Sequence, residues 1–177
     1  MLYRQIKITI ITLLANNAYA SNNIYDKQLL SASIIYKVPM KLIKAICLTE
    51  SNLDPQALNF DDNGKGQPAI GVCQILYSTA KELGYEQKQN NLCGVNLSKN
   101  KRVKENCQLY DVDINLKYAS IYLKYQLIRY NNNWADAAAA YNSGSVRHET
   151  LVDKNGRQIR VYRNQGYVNK VLNNLNN

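Results

Sequence analysis

Pro39 and Pro55 set the limits of one helix, and that helix constrains the fold more than any other segment. Between them Leu42, Ile43, Ile46 and Cys47 recur at helical spacing and form a single apolar stripe. Pro39 suits the first helical position, where a missing N–H costs nothing, and Pro55 does not let the helix run far beyond Ser51. A stripe of this kind has to be buried, and burying it carries Glu50 to the C-terminal end of the helix at the margin of a core. There the helix dipole disfavours a negative charge, as an apolar pocket would, so the protonated carboxyl is the favoured form.

The remaining segments read mostly as helices. Ile24 to Tyr36 places Leu29, Leu30, Ile34 and Ile35 at helical spacing. Ser78 to Gly84 gives a further helix start, with Thr79 and Glu82 in capping-box spacing and a glycine stop. Asp113 to Tyr130 carries Ile114, Leu116, Tyr118, Ile121, Tyr122, Tyr125 and Leu127 on a long amphipathic helix, which Asn131 to Asn133 break. An alanine-rich helix from Trp134 to Tyr141 follows and delivers Tyr141 and Asn142 at its end, where Gly144 can stop it. Leu151 to Val161 has apolar residues on both sides of Asn155-Gly156, a strong hairpin signal, and Gly166 to Leu175 predicts a terminal helix. Leu58 to Pro68 reads as a loop or small hairpin. Counted from Asp61 as a calcium loop, its fifth and twelfth positions hold Lys65 and Val72, which excludes that metal site.

The first twenty residues are of a different kind. Arg4 and Lys7 precede the apolar run Ile8 to Leu14, and Ala18-Tyr19-Ala20 supplies small residues where a signal peptidase cuts. We expect residues 1–20 to be a cleaved secretory signal, with residues 21–177 as one domain and the mature chain in the periplasm. The apolar run is too short to span a bilayer, and no other segment could. Cleavage would remove Arg4 and Lys7 and lower the net charge from +9 to +7, which still favours polyanionic surfaces such as a cell wall. Nucleic acid is not expected: Lys99 to Lys104 is a short basic cluster better read as a solvated loop, and no zinc or RNA-binding signature is present.

Four cysteines in an exported chain permit two disulfides. Cys93 and Cys107 flank a polar stretch, and closing a loop of that size stabilises a fold by roughly 3 kcal/mol, so this pair is the first choice. Cys47, one turn before Glu50, and Cys73, directly before Gln74, are either bonded to each other or buried free thiols. The chain has a single histidine, His148, with no serine or cysteine partner in evidence, and it is read as structural.

Three segments together carry chemistry: Thr49-Glu50-Ser51 with Pro55 beyond it, Gly71-Val72-Cys73-Gln74, and Ala140-Tyr141-Asn142-Ser143-Gly144. Glycosidic cleavage needs a proton donor at the leaving oxygen, and a carboxyl held protonated at neutral pH can supply it. These segments resemble the catalytic domain of lytic transglycosylases: a glutamate-serine pair on a helix, a glycine-x-x-glutamine turn and an alanine-tyrosine-asparagine-x-glycine motif. Asn115 to Leu123 is similar to the helix between them, with Ala119 where glycine is usual and Leu116 where isoleucine is. Gly166-Tyr167-Val168 is like the closing segment whose tyrosine reaches the cleft. The likeness spans nearly all of Tyr25 to Leu172, and it is greatest to the small single-domain members that accompany conjugation, type IV and type III secretion machines.

The resemblance implies a mainly α (α+β), lysozyme-like fold with small β-hairpins and a peptidoglycan-cleaving enzyme without metal or organic cofactor. Glu50 would protonate the leaving oxygen after N-acetylmuramic acid, then act as base while that sugar's own 6-hydroxyl attacks its anomeric carbon. The product would end in a 1,6-anhydro ring. Ser51 and Gln74 would bond substrate or orient Glu50, Gly71 would let backbone approach the glycan, and Tyr141, Asn142 and Tyr167 would line the cleft. Its partners would be glycan strands and components of a secretion or conjugation machine. Taken singly, Ser51 could bond backbone at a helix end, Gln74 could sit in an exposed turn, and the tyrosines could be packing residues. A goose-type lysozyme-like hydrolase would need a second acid to hold water, for which Asp54, Asp61, Asp62 and Asp136 are the candidates. A non-catalytic wall-binding assembly factor, using the hairpin for contact with the apparatus, would have no need of Glu50.

Overall fold

The structure, a computed structural model, describes residues 24–60, 67–86, 93 and 107–176. The expected signal, the proposed cleavage point after Ala20, Asp61, Asp62 and the basic cluster at Lys99 to Lys104 lie outside the described residues. The elements in chain order are α1 (Asp26–Tyr36), α2 (Met40–Ser51), the short strands β1 (Leu58–Asn59), β2 (Ala69–Ile70) and β3 (Ile75–Leu76), then α3 (Tyr77–Glu82). A 3₁₀ turn (Gln108–Tyr110), α4 (Val112–Arg129), α5 (Trp134–Ser143), the hairpin β4 (His148–Val152) and β5 (Gln158–Tyr162), and α6 (Gln165–Asn174) complete the chain. The result is a mainly helical α+β molecule, as the sequence predicts.

The apolar stripe of α2 is the centre of the core: Leu42, Ile43, Ile46 and Cys47 are all at most 1% exposed. They pack with Leu29 of α1, Leu116, Leu123 and Leu127 of α4, Ala137 and Ala138 of α5 and Val171 of α6. Alanines at 137 to 140, all fully buried, let α5 approach its neighbours closely, as their small side chains suggest. A second cluster gathers Ile70, Ile75, Ala80, Leu109 and Tyr118 with the disulfide Cys93–Cys107. That bond is the pairing the sequence favours. Cys47 and Cys73 are also joined, which resolves the alternative left open above and clips α2 to the turn after β2.

Several boundaries differ from the sequence reading for identifiable reasons. Pro39 stands just outside α2 with extended backbone (ψ 124°), so Met40 is the first helical residue. The other end of α2 falls at Ser51, as expected, but Asn52 rather than Pro55 makes the stop, taking left-handed backbone at φ 56° while its N–H bonds Leu48 O. The expected capping box at Thr79 and Glu82 does not form. Strand β3 runs directly into α3, whose N-cap position is Leu76, so Thr79 lies inside the helix rather than before it. Asn131 and Asn132 do break the chain, at φ 53° and 59°, and Asn133 caps α5 by accepting from Ala135 N and Asp136 N. The hairpin is longer than expected, with His148 paired to Tyr162. Its Asn-Gly dipeptide serves a loop closed by Asp153 N donating to Arg157 O, in which Gly156 supplies left-handed backbone at φ 75°.

Candidate active site

Glu50 is half-buried at the last turn of α2 and opens onto a cleft of about 370 Å³. The cleft is lined by Gln74, Ile75, Leu76 and Thr79 from the β3–α3 segment and by Tyr122, Tyr141, Asn142, Ser143 and Gly144 from α4 and the end of α5. Among the described lining residues Glu50 is the only carboxylate. The Tyr167 hydroxyl, reaching across from α6, donates to Glu50 Oε1 at 2.6 Å. Helix α6 is held for this task along its length, because it packs on α2 and Asn174 Nδ2 donates to Thr49 Oγ1 at 3.0 Å.

Glu50, Gln74, Tyr141 and Asn142 line one cleft and Tyr167 bonds Glu50, while Ser51 and Gly71 make contacts within the fold. Ser51 does not face the cleft chemistry. Its hydroxyl donates to Val72 O at 2.6 Å and accepts from Asp54 N at 3.0 Å, so it fastens the end of α2 to the turn after β2. That fastening runs beside two successive left-handed residues, Asn52 and Leu53 at φ 56° and 62°, and Gln74 is left-handed as well at φ 46°. Backbone of this kind costs a residue with a side chain of order 1 kcal/mol each, and it clusters here close to Glu50 in the sequence and at the cleft. Gln74 bonds Gly71 O through Nε2 at 3.1 Å and lines the cleft together with Tyr141.

Gly71 is required by the protein's own packing. It is left-handed at φ 75°, and a Cβ there would stand 2.5 Å from Asn115 Nδ2 and 2.7 Å from Leu109 O. Asn115 is fully buried and joins three segments: it donates to Ile70 O at 2.7 Å and Leu109 O at 2.8 Å, and accepts from Cys73 N at 3.0 Å. The sequence reading gave Asn115 no role in the site. Its signal is visible in retrospect, since it lies one turn before Ala119 and two before Leu123 on the buried face of α4, where an unpaired amide would be costly.

Tyr141 is buried and its hydroxyl donates to Cys73 O at 2.9 Å. Burial first, then the neighbouring Glu50 charge and Tyr122, push this hydroxyl well above its ordinary pKa of 10. It stays protonated at any physiological pH, so its part is to wall the cleft and hold the turn at Cys73. Tyr122 leans on it with ring centroids 5.3 Å apart. Asn142 stands on the cleft rim with its Oδ1 bonded by Asn164 Nδ2 at 3.0 Å.

Of the residues offered for a second acid, the two that are described, Asp54 and Asp136, do not line the cleft. Asp54 is exposed and accepts from Gln56 N at 2.8 Å, while Asp136 accepts from the Tyr162 hydroxyl at 2.7 Å. His148 lies on β4, stacked on Tyr162 with Arg160 Nη2 at 3.0 Å, and does not line the cleft. Among the described residues no group of three or more His, Cys, Asp or Glu side chains could hold a metal ion. No helix among them is long and apolar enough to cross a membrane.

The Transglycosylase SLT domain model matches residues 29–162, and the chain belongs to that family. Solved structures of two lytic transglycosylases share its fold, which is therefore the lysozyme-like one expected. The 70 kDa soluble lytic transglycosylase Slt70 of Escherichia coli matches at TM-score 0.51 and 21% identity over 86% of this chain. An inactive mutant of lytic transglycosylase Slt from Pseudomonas aeruginosa matches at TM-score 0.56 and 22% identity, again over 86% of the chain. The chain spans only 19% and 23% of those two proteins' lengths.

Proposed function

We propose that this protein is a peptidoglycan lytic transglycosylase with Glu50 as its acid and base. The observation that carries the reading is a half-buried carboxylate, the only one among the described residues that line the cleft, hydrogen-bonded by Tyr167 between walls of tyrosine and asparagine. A hydrolase of the two-carboxylate kind positions water with its second acid. An intramolecular nucleophile needs no such group, because the attacking oxygen is already held against its target.

Glu50 gives its proton to the glycosidic oxygen as the bond from the anomeric carbon of N-acetylmuramic acid breaks. The resulting carboxylate then takes the proton of that sugar's 6-hydroxyl as the oxygen bonds to the anomeric carbon, and Glu50 ends as it began. No water enters. Gln74, Asn142 and Tyr167 supply the polar groups that meet the glycan, while Gly71 and Ser51 hold the walls. The order of charge, apolar run and small residues in residues 1–20 supports export to the periplasm. The likeness to the small members of conjugation and secretion machines supports local opening of the wall for such an apparatus.

Mass spectrometry of fragments released from purified peptidoglycan tests the reading. Fragments one water lighter than lysozyme products are expected. Reducing ends in their place would transfer the protein to the hydrolases, and no release at all would favour a wall-binding factor.

A further inference from the structure

Where α5 packs against the start of α6, one amide has an orientation that the backbone dictates. Asn164 occupies the N-cap of α6, where an asparagine side chain ordinarily accepts from N–H groups of the first turn. Here it makes no such bond. Its Nδ2 donates instead to Ala139 O at 3.0 Å and to Asn142 Oδ1 at 3.0 Å. A backbone carbonyl only accepts, so the Ala139 contact fixes which end of the Asn164 amide faces α5. That nitrogen then offers its other proton to Asn142, and only the oxygen end of Asn142 can receive it. Two contacts anchored on a carbonyl thus remove the twofold ambiguity of the Asn142 amide.

Asn142 shares the cleft wall with Tyr141 and faces the same space as Glu50. With Oδ1 turned to Asn164, its NH₂ group is the end left for a ligand, and among the described residues none accepts from it. The backbone of Asn164 also starts α6, its carbonyl accepting from Tyr167 N at 2.9 Å, so one residue relates the Asn142 wall to the Tyr167 hydroxyl on Glu50. We propose that Asn164 is a positioning residue that sets Asn142 to meet the glycan as a hydrogen-bond donor, selecting an acceptor oxygen beside Glu50. The N-acetyl carbonyl is the strongest acceptor such a sugar offers. The proposal deepens the reading of the cleft as a glycan site and rests on it for the identity of the ligand.

Two measurements test it. In the wild-type protein without substrate, nitrogen-15 NMR should find the side-chain amide protons of Asn164 protected from exchange and those of Asn142 exchanging as if free. An N-acetylglucosamine oligomer should then shift and protect the Asn142 pair. Protected Asn142 protons beside freely exchanging Asn164 protons would overturn the proposal, whatever the enzyme does. On purified peptidoglycan, N164A and N142A should each lose about tenfold in kcat/KM, as expected for one lost hydrogen bond near the reacting sugar. The double variant should be no worse than N142A alone, because Asn164 acts through Asn142. Losses that multiply would mean that Asn164 merely holds the helices together, and would overturn it. Wild-type protein that neither cuts peptidoglycan nor binds the oligomer would remove the glycan reading, while the amide orientation would still stand or fall on the exchange data.

Discussion

Replacing Gly71 with alanine asks three things of the fold at once. The residue must keep left-handed backbone at φ 75°, which costs a side chain roughly 1–2 kcal/mol. The new Cβ would lie 2.5 Å from Asn115 Nδ2 and 2.7 Å from Leu109 O, so the buried amide has to withdraw. In doing so it loosens bonds to Ile70 O, Leu109 O and Cys73 N, and a buried group left without its partner costs about 1–3 kcal/mol. The loss should be roughly 2–5 kcal/mol, a large share of the ~5–15 kcal/mol that holds a domain folded. For a chain of this size that corresponds to a fall in Tm of roughly 5–20 °C. Thermal unfolding followed by circular dichroism measures it, and Asn115→Ala combined with Gly71→Ala should cost less than the sum of the two. A Gly71→Ala protein melting within about 2 °C of wild type would refute the close approach of Asn115 on which this estimate rests.

Tyr167→Phe removes the hydroxyl that donates to Glu50 and should lower kcat on peptidoglycan by about tenfold with little change in Tm; an unchanged kcat would show that this contact does not matter to turnover. Replacing both Cys47 and Cys73 with serine opens a bridge of sequence separation 26 and should cost about 3.5 kcal/mol in urea unfolding, with the end of α2 no longer clipped to the Gln74 turn. Equal unfolding midpoints would contradict it. Burial, then the bond to Asp136 and its charge, raise the pKa of Tyr162 to about 12. A raised folded value gives stability that is complete below the ordinary value near 10 and lost as pH rises through about 12, so Tyr162→Phe should flatten the fall in Tm over that window. A fall as steep in the variant as in the wild type would oppose this.

Much of the fold was legible because period and punctuation agreed. The α2 stripe, the triple-asparagine break before α5 and the Asn-Gly turn each state a local preference that the packing does not override. The ends of elements were less legible, since they depend on partners elsewhere: β3 feeds α3 without a cap, and the end of α2 is tied down by the Ser51 hydroxyl on Val72 O. In the site, Glu50, Gln74, Tyr141, Asn142 and Tyr167 could be read from motif order. The supporting amides could not. Asn115 and Asn164 act through bonds across 42 and 22 residues of sequence, to Cys73 and Asn142, and no local pattern encodes a pairing at that distance.

On the proposed mechanism one carboxyl does both proton transfers and no water enters the product. Glu50→Gln keeps the shape of the side chain but can neither give nor take the proton. Wild-type and variant proteins should be incubated side by side with purified peptidoglycan, and the released fragments weighed. The wild type should release fragments ending in 1,6-anhydromuramic acid, and a Glu50→Gln protein that still folds and binds glycan should release nearly none. Turnover surviving in Glu50→Gln, whatever the product, would contradict it.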